Sequence, residues 1–182
     1  MTSSTNDEIS SGLKEKLARI RLLLCDVDGV LTDGSIWIGG DSELKQFDVT
    51  DGLGMTLLQK EGVKIGWISN RVSHATALRA AELKIDYISQ GSGSKVVAIE
   101  EILQKEGVDW SEVCYVGDDI VDLGSLQRAG VGVAPFNACC EAKRAACYVT
   151  HRGGGHGAVR EVVEMILSAQ GRWEKIMSYY TA

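Results

Sequence analysis

The chain has 182 residues, 45% of them hydrophobic and 24% charged, with a formal net charge of −6. That length and balance suit one globular domain with a sizeable core, and the acidic sign argues against nucleic acid or an anionic membrane surface as a partner. The five cysteines are odd in number and include no CxxC pair. They indicate neither a disulfide framework nor a zinc site, and suit reduced thiols in a cytoplasmic protein.

Residues 1–10 are polar and are expected to be disordered; they show no basic region followed by an apolar stretch, so no signal peptide is read. No apolar run approaches the ~18 residues a membrane helix needs. Leu13, Leu17 and Ile20 recur at helical spacing and predict a short amphipathic helix over 11–20. Residues 21–25, RLLLC, follow without alternation, as in a strand buried on both faces of a parallel sheet. The run stops at Asp26 and Asp28, and Gly29 lets the chain leave sharply. SIWIG, a Gly-Gly-Asp turn and ELKQF then predict a β-hairpin lying over these carboxylates.

DVTDGLG, residues 48–54, reads as a glycine-bearing loop leading into a helix over 55–60. A strand over 63–68, the loop Ser69-Asn70-Arg71, a helix over 74–83 and a short strand over 86–88 come next. QGSGS leads into a helix from Lys95 to Glu106; a buried strand over 113–116 ends at Gly117-Asp118-Asp119. A helix over 120–128, a strand over 131–133, a short helix near 138–145, a strand over 147–149, the loop HRGGGHG and a helix over 158–169 complete the pattern. Strands alternating with helices predict an α/β fold: a doubly wound, mostly parallel sheet, Rossmann-like, with a hairpin insert after the first strand and no cap domain. One domain is expected over 11–171, with a tail over 172–182 whose Trp173, Tyr179 and Tyr180 pack on an interface or are disordered.

In chain order, strand ends present Asp26 and Asp28, then Ser69, then a helix-starting Lys95, then Asp118 and Asp119. Each has an ordinary explanation alone: a helix cap for Ser69, Asp118 or Asp119, a solvated helix residue for Lys95. All four together at successive strand ends resemble the motifs of the haloacid dehalogenase superfamily, whose first signature is DxDx[TV]; here it reads DVDGV. The likeness extends through DVDGVLTDG, F-x-V-x-DG-x-G, QG-x(3)-K, YVGDDIVDL, YVT and GGxGAVREV to the capless family of 3-deoxy-D-manno-octulosonate 8-phosphate phosphatases, over about residues 20–171.

That resemblance implies the following roles. Asp26 is the nucleophile and Asp28 the general acid and base; Ser69 binds a phosphate oxygen, and Lys95 neutralises charge in the transition state. A magnesium ion, with manganese or cobalt as alternatives, is held by Asp26, Asp118 and the Asp28 carbonyl, with Asp119 and Asp122 supporting them. Substrate contacts fall on Asp28, Asp51, Gly52, Ser69, Asn70, Arg71, Arg79 and Lys95, the guanidinium groups suiting a sugar carboxylate. The implied substrate is a sugar-acid phosphate on the route to lipopolysaccharide, and the implied assembly is a homotetramer whose neighbouring chains close each capless site.

The sequence departs from the family at 69–71, where SNR stands for the usual TGR, and at Thr56, where some relatives carry arginine. A nine-carbon sialic-acid-type 9-phosphate is the rival substrate; Arg71 favours the eight-carbon acid, since nine-carbon relatives tend to have glutamate there. A catalytically silent assembly subunit and a metal-free phosphoacceptor of the response-regulator kind are the other readings. The retained Asp26, Asp28, Ser69, Lys95 and Asp118 speak against the first, and the DxD pair with its hairpin against the second. His151 and His156 flank a triple glycine and are read as a mobile loop reaching a neighbour's site rather than as metal ligands.

Overall fold

The run Leu22-Leu23-Leu24-Cys25 places an apolar side chain on both faces of its strand, and the computed structural model, which describes residues 10–40 and 42–181, buries all four. The chain begins with α1 (Ser11–Leu17), β1 (Leu22–Cys25), the hairpin β2 (Trp37–Gly39) and β3 (Ser42–Leu44), α2 (Val49–Lys60) and β4 (Lys64–Ser69). Then come α3 (His74–Glu82), β5 (Tyr87–Gln90), α4 (Lys95–Glu106), β6 (Val113–Val116) and α5 (Leu123–Arg128). The last elements are β7 (Val131–Ala134), α6 (Cys140–Ala145), β8 (Tyr148–Val149), α7 (Ala158–Ala169) and α8 (Trp173–Thr181). The expected disorder of residues 1–10 lies outside the described residues except for Ser10, whose hydroxyl accepts from Leu13 N and caps α1.

Six strands form one parallel sheet in the order β5-β4-β1-β6-β7-β8, and β2 pairs antiparallel with β3 apart from it. The parity of β1 divides the core in two. Leu23 and Cys25 pack in the layer that includes Leu57 and Leu58 of α2 and Val159, Val162 and Ile166 of α7. Leu22 and Leu24 pack in the opposite layer with Ile99 and Leu103 of α4, Leu126 of α5 and Ala142 of α6. The doubly wound architecture is therefore as the alternation of elements predicts. No helix among the described residues is long and apolar enough to cross a membrane.

Three segments are tied into the fold more closely than the sequence suggests. Residues 49–54 are not a loop: α2 starts at Val49, with Asp48 capping Thr50 N at 2.6 Å. Its glycines serve packing, since a Cβ on Gly52 would lie 2.6 Å from a terminal nitrogen of Arg79, and one on Gly54 would lie 3.0 Å from Arg160 Cδ. Trp173–Thr181 form α8, which buries Ile176 in the α2/α7 layer while Tyr179 and Tyr180 stay exposed. The HRGGGHG loop folds onto its own chain: Gly155 N donates to Val30 O at 3.0 Å, and Gly154 N to Asn137 Oδ1 at 2.6 Å. Asn137 Nδ2 in turn donates to Gly29 O at 2.9 Å, so this loop braces the turn after Asp26.

Candidate active site

The carboxyl end of β1 releases Asp26 into a turn where Val27 O accepts from Leu31 N and Thr32 N, and Thr32 Oγ1 accepts from the N–H groups of Gly29 and Gly34. Gly29 has φ of +93°, and a Cβ there would stand 2.0 Å from Asp118 Oδ2. Only glycine lets this turn and the end of β6 come so close. The sequence therefore brings Asp26 and Asp118 together from two adjacent parallel strands.

Lys95, the first residue of α4, is buried between carboxylates, its Nζ 2.8 Å from Asp26 Oδ1 and 2.7 Å from Asp122 Oδ1. Burial opposes the charge on Lys95, but Asp26 and Asp122 outweigh it and hold its pKa above the ordinary value. Asp122 is fully buried and saturated: Oδ1 also accepts from Tyr115 OH at 2.5 Å, and Oδ2 accepts from Asp118 N and Asp119 N. Asp119 caps the turn that follows, accepting from Ile120 N at 2.7 Å.

Carboxylate oxygens of Asp26, Asp118 and Asp122 lie within 4.8 Å of one another. Burial pushes Asp26 up to about 6, with Lys95 pulling the other way. Burial, then the charges of Asp26 and Asp122, push Asp118 up to about 7. Asp118 Oδ1 is buried and receives no hydrogen bond from any described residue. Crowded, partly unsatisfied carboxylates are what a hard divalent cation relieves, so the residues fit magnesium or a similar ion. Asp26 and Asp118 have oxygen lone pairs to offer; Asp122 has spent its own on four donors, and its part is to orient Lys95 and the backbone of Asp118 and Asp119.

Asp28 faces the hairpin. Lys45 Nζ is 2.6 Å from Asp28 Oδ1, and Arg71 Nε is 3.5 Å from Oδ2. Glu43 stands behind both cations, pairing with Arg71 and lying 3.8 Å from Lys45, and it accepts from Ser73 Oγ at 2.7 Å. Ser69, at the end of β4, is buried and its Oγ accepts from Arg71 N at 3.1 Å. Asn70 is exposed, and Lys84 is the only non-glycine with positive φ among the described residues, so asparagine at 70 meets no left-handed backbone.

The remaining expected contacts have other partners. Asp51 is buried and accepts from Arg160 N at 2.6 Å, which ties α2 to the first turn of α7. Gly52 lies under Arg79, and Arg79 pairs with Glu82 at 2.7 Å. His151 and Tyr148 share Glu161 in a cluster at the edge of the sheet. Sequence reasoning missed Lys45, Glu43, Tyr115 and Asn137. Tyr115 alone left a signal, since a phenol inside the buried strand VCYV must find a partner for its hydroxyl.

A family model for haloacid dehalogenase-like hydrolases matches residues 59–161. The 3-deoxy-D-manno-octulosonate 8-phosphate phosphatase KdsC of Salmonella typhi is 38% identical over 168 residues, 92% of this chain and 89% of that protein. The crystal structure of the Moraxella catarrhalis 3-deoxy-D-manno-octulosonate 8-phosphate phosphatase, in complex with magnesium ion, phosphate ion and KDO, superposes with a TM-score of 0.90. It is 37% identical, over 92% of this chain and 97% of that one. The cobalt-bound phosphatase YrbI from Haemophilus influenzae gives a TM-score of 0.84 at 36% identity, covering 87% and 93% of the two chains. With Asp26, the buried Lys95 and Asp118 brought together at the carboxyl ends of one sheet, the chain belongs to the haloacid dehalogenase-like hydrolases, in the family of the 3-deoxy-D-manno-octulosonate 8-phosphate phosphatases.

Proposed function

We propose that this chain hydrolyses 3-deoxy-D-manno-octulosonate 8-phosphate to the free sugar acid and phosphate through an aspartyl-phosphate on Asp26. The observation that carries the reading is the buried Lys95, held between Asp26 and Asp122 beside Asp118 at the carboxyl ends of β1 and β6.

Asp26 attacks phosphorus in line with the ester oxygen, and the bond from phosphorus to that oxygen breaks. Asp28 gives its proton to the departing alkoxide, which leaves as the neutral alcohol. The ionised Asp28 then takes a proton from water as that water attacks the aspartyl-phosphate, releasing phosphate and restoring Asp26. Lys95 sits where negative charge builds on the transferred group, and the Ser69 hydroxyl offers it a hydrogen bond. A bound magnesium ion, held by Asp26, Asp118 and the Asp28 carbonyl, supplies charge neutralisation between carboxylate and phosphate. Arg71 presents a guanidinium to the substrate carboxylate across the Asp28 side of the site. The hairpin leaves Trp37, Ile38 and Leu44 65%, 79% and 67% exposed, which supports a homotetramer in which this apolar surface is covered by neighbouring chains.

Phosphate release from the eight-carbon ester and from a nine-carbon sialic-acid-type 9-phosphate, with magnesium and with chelator, tests the proposal. Magnesium-dependent turnover favouring the eight-carbon ester is expected. Asp26→Asn should lose at least about 1,000-fold in kcat with an unchanged circular dichroism spectrum, because no other group can form the covalent intermediate. Substantial turnover in that variant, or preference for the nine-carbon ester, would overturn the mechanism or the substrate respectively.

A further inference from the structure

Asp28 is the acid and base of the proposed reaction, yet its carboxylate is not held by the nucleophile's own loop. It is held from the hairpin. Lys45 stands just beyond β3, 17 residues along the chain, and its side chain is wholly buried with Nζ 2.6 Å from Asp28 Oδ1. Burying an ammonium is costly, so a lysine with no exposed side-chain surface persists where its charge is matched. Two carboxylates match it here, Asp28 at 2.6 Å and Glu43 at 3.8 Å.

The two oxygens of Asp28 are unlike. Oδ1 receives the Lys45 ammonium; Oδ2 is buried, receives no hydrogen bond from any described residue, and has only the Arg71 Nε at 3.5 Å. Glu43 pairs with Arg71 and approaches Lys45, so two cations face two carboxylates and the set is neutral overall. Glu43 thus holds Lys45 and Arg71 in place against the two sides of Asp28.

We propose that Lys45, balanced by Glu43, is a positioning residue of the reaction: it anchors Oδ1 of Asp28 and leaves Oδ2 as the oxygen that passes the proton to the leaving group and takes one from water. The proposal rests on the reading of Asp28 as acid and base. It also gives the hairpin a chemical part beside its exposed surface, since the segment that carries apolar residues outward also places the ammonium inward.

Leaving-group dependence separates this from a merely structural role. A sugar alkoxide needs a proton to depart, whereas p-nitrophenolate departs unaided, and kcat/KM reports steps only up to that departure. Lys45→Met keeps the length and apolar stem of the side chain and removes the ammonium. It is expected to lower kcat/KM at least about tenfold on the sugar phosphate and by less than about threefold on p-nitrophenyl phosphate. Equal losses on both substrates, or no loss on either, would overturn the proposal. Asp28→Asn measured alongside separates the two claims. If it shows the selective loss and Lys45→Met does not, the acid role stands and the anchoring role fails; if neither shows it, the acid role itself fails. Should Lys45→Met not fold, Glu43→Gln is measured instead, with selective loss expected and parallel loss overturning the proposal.

Discussion

Asp122 makes no contact in the proposed chemistry, yet it is the most densely bonded carboxylate of the site. Lys95 and Tyr115 fill one oxygen and the N–H groups of Asp118 and Asp119 fill the other. Replacing it by asparagine would put an amide N–H₂ against donors and leave Lys95 with Asp26 as its single counter-charge. Removing one partner of a buried ion pair costs about 3–5 kcal/mol where the surviving charge is left uncompensated, and the remaining Asp26 keeps the loss here at the lower end. Asp122→Asn should therefore unfold in urea with a loss of about 3 kcal/mol, and kcat should fall more than KM rises, since Lys95 would no longer be held at the transferred group. Urea titration and steady-state kinetics check both halves. A variant with the native midpoint would show that the four bonds are worth far less than their burial indicates.

At the scale of elements, the junction of α2 and α7 shows where the sequence misleads. Thr, Asp and Gly favour turns and helix starts alike, so DVTDGLG carries the composition of a loop while forming the first turns of a helix. What decides is tertiary: Gly52 and Gly54 let α2 approach Arg79 and Arg160, and Asp51 accepts from the backbone of α7. The strand ends were readable because a four-residue apolar run stops abruptly, at Asp26 after β1 and at Gly117-Asp118 after β6, and because Lys95 opens a helix of clear period. Lys45 was not readable, because its meeting with Asp28 depends on how the hairpin folds back, which no local pattern encodes. Asp51 also yields a pH test. Burial pushes its carboxyl up to about 6, against the lowering effect of the Arg160 bond, while an unfolded aspartate titrates near ~3.9. The folded state thus holds this proton more tightly. Its contribution is fully present below about pH 4, is lost as pH rises through about 6, and leaves a cost of at most about 3 kcal/mol above that. Asp51→Asn keeps an oxygen for Arg160 N and removes the charge. Its stability relative to the native chain should therefore improve between pH 4.5 and pH 7.5, as read from urea midpoints. An equal difference at both pH values would mean that Asp51 is not strained by burial.

The whole molecule is a parallel sheet whose connections go first to one side of β1, through β4 and β5, and then cross to the other, through β6, β7 and β8. The strand order reverses beside β1, and a ligand crevice opens at the carboxyl ends where it does. Asp26 ends β1 and Asp118 follows β6, so the topology itself forces two carboxylates to share one small volume. Burial then raises both, Asp26 up to about 6 and Asp118 up to about 7, and the charges of Asp26 and Asp122 add to the rise at Asp118. A cation bound between Asp26 and Asp118 would offset this crowding. A cation that binds only the folded chain at 100 times its Kd stabilises it by about 2.7 kcal/mol, which for a chain of this size is a rise of roughly 5–10 °C in Tm. Asp118→Asn removes both the repulsion and a ligand, so the two proteins should change places. In chelator the variant should melt at or above the native chain, and in saturating magnesium it should melt below it. Thermal melts by circular dichroism under the two conditions read this crossing directly. If magnesium raises both melting temperatures equally, the ion binds elsewhere, and Asp118 is not among its ligands.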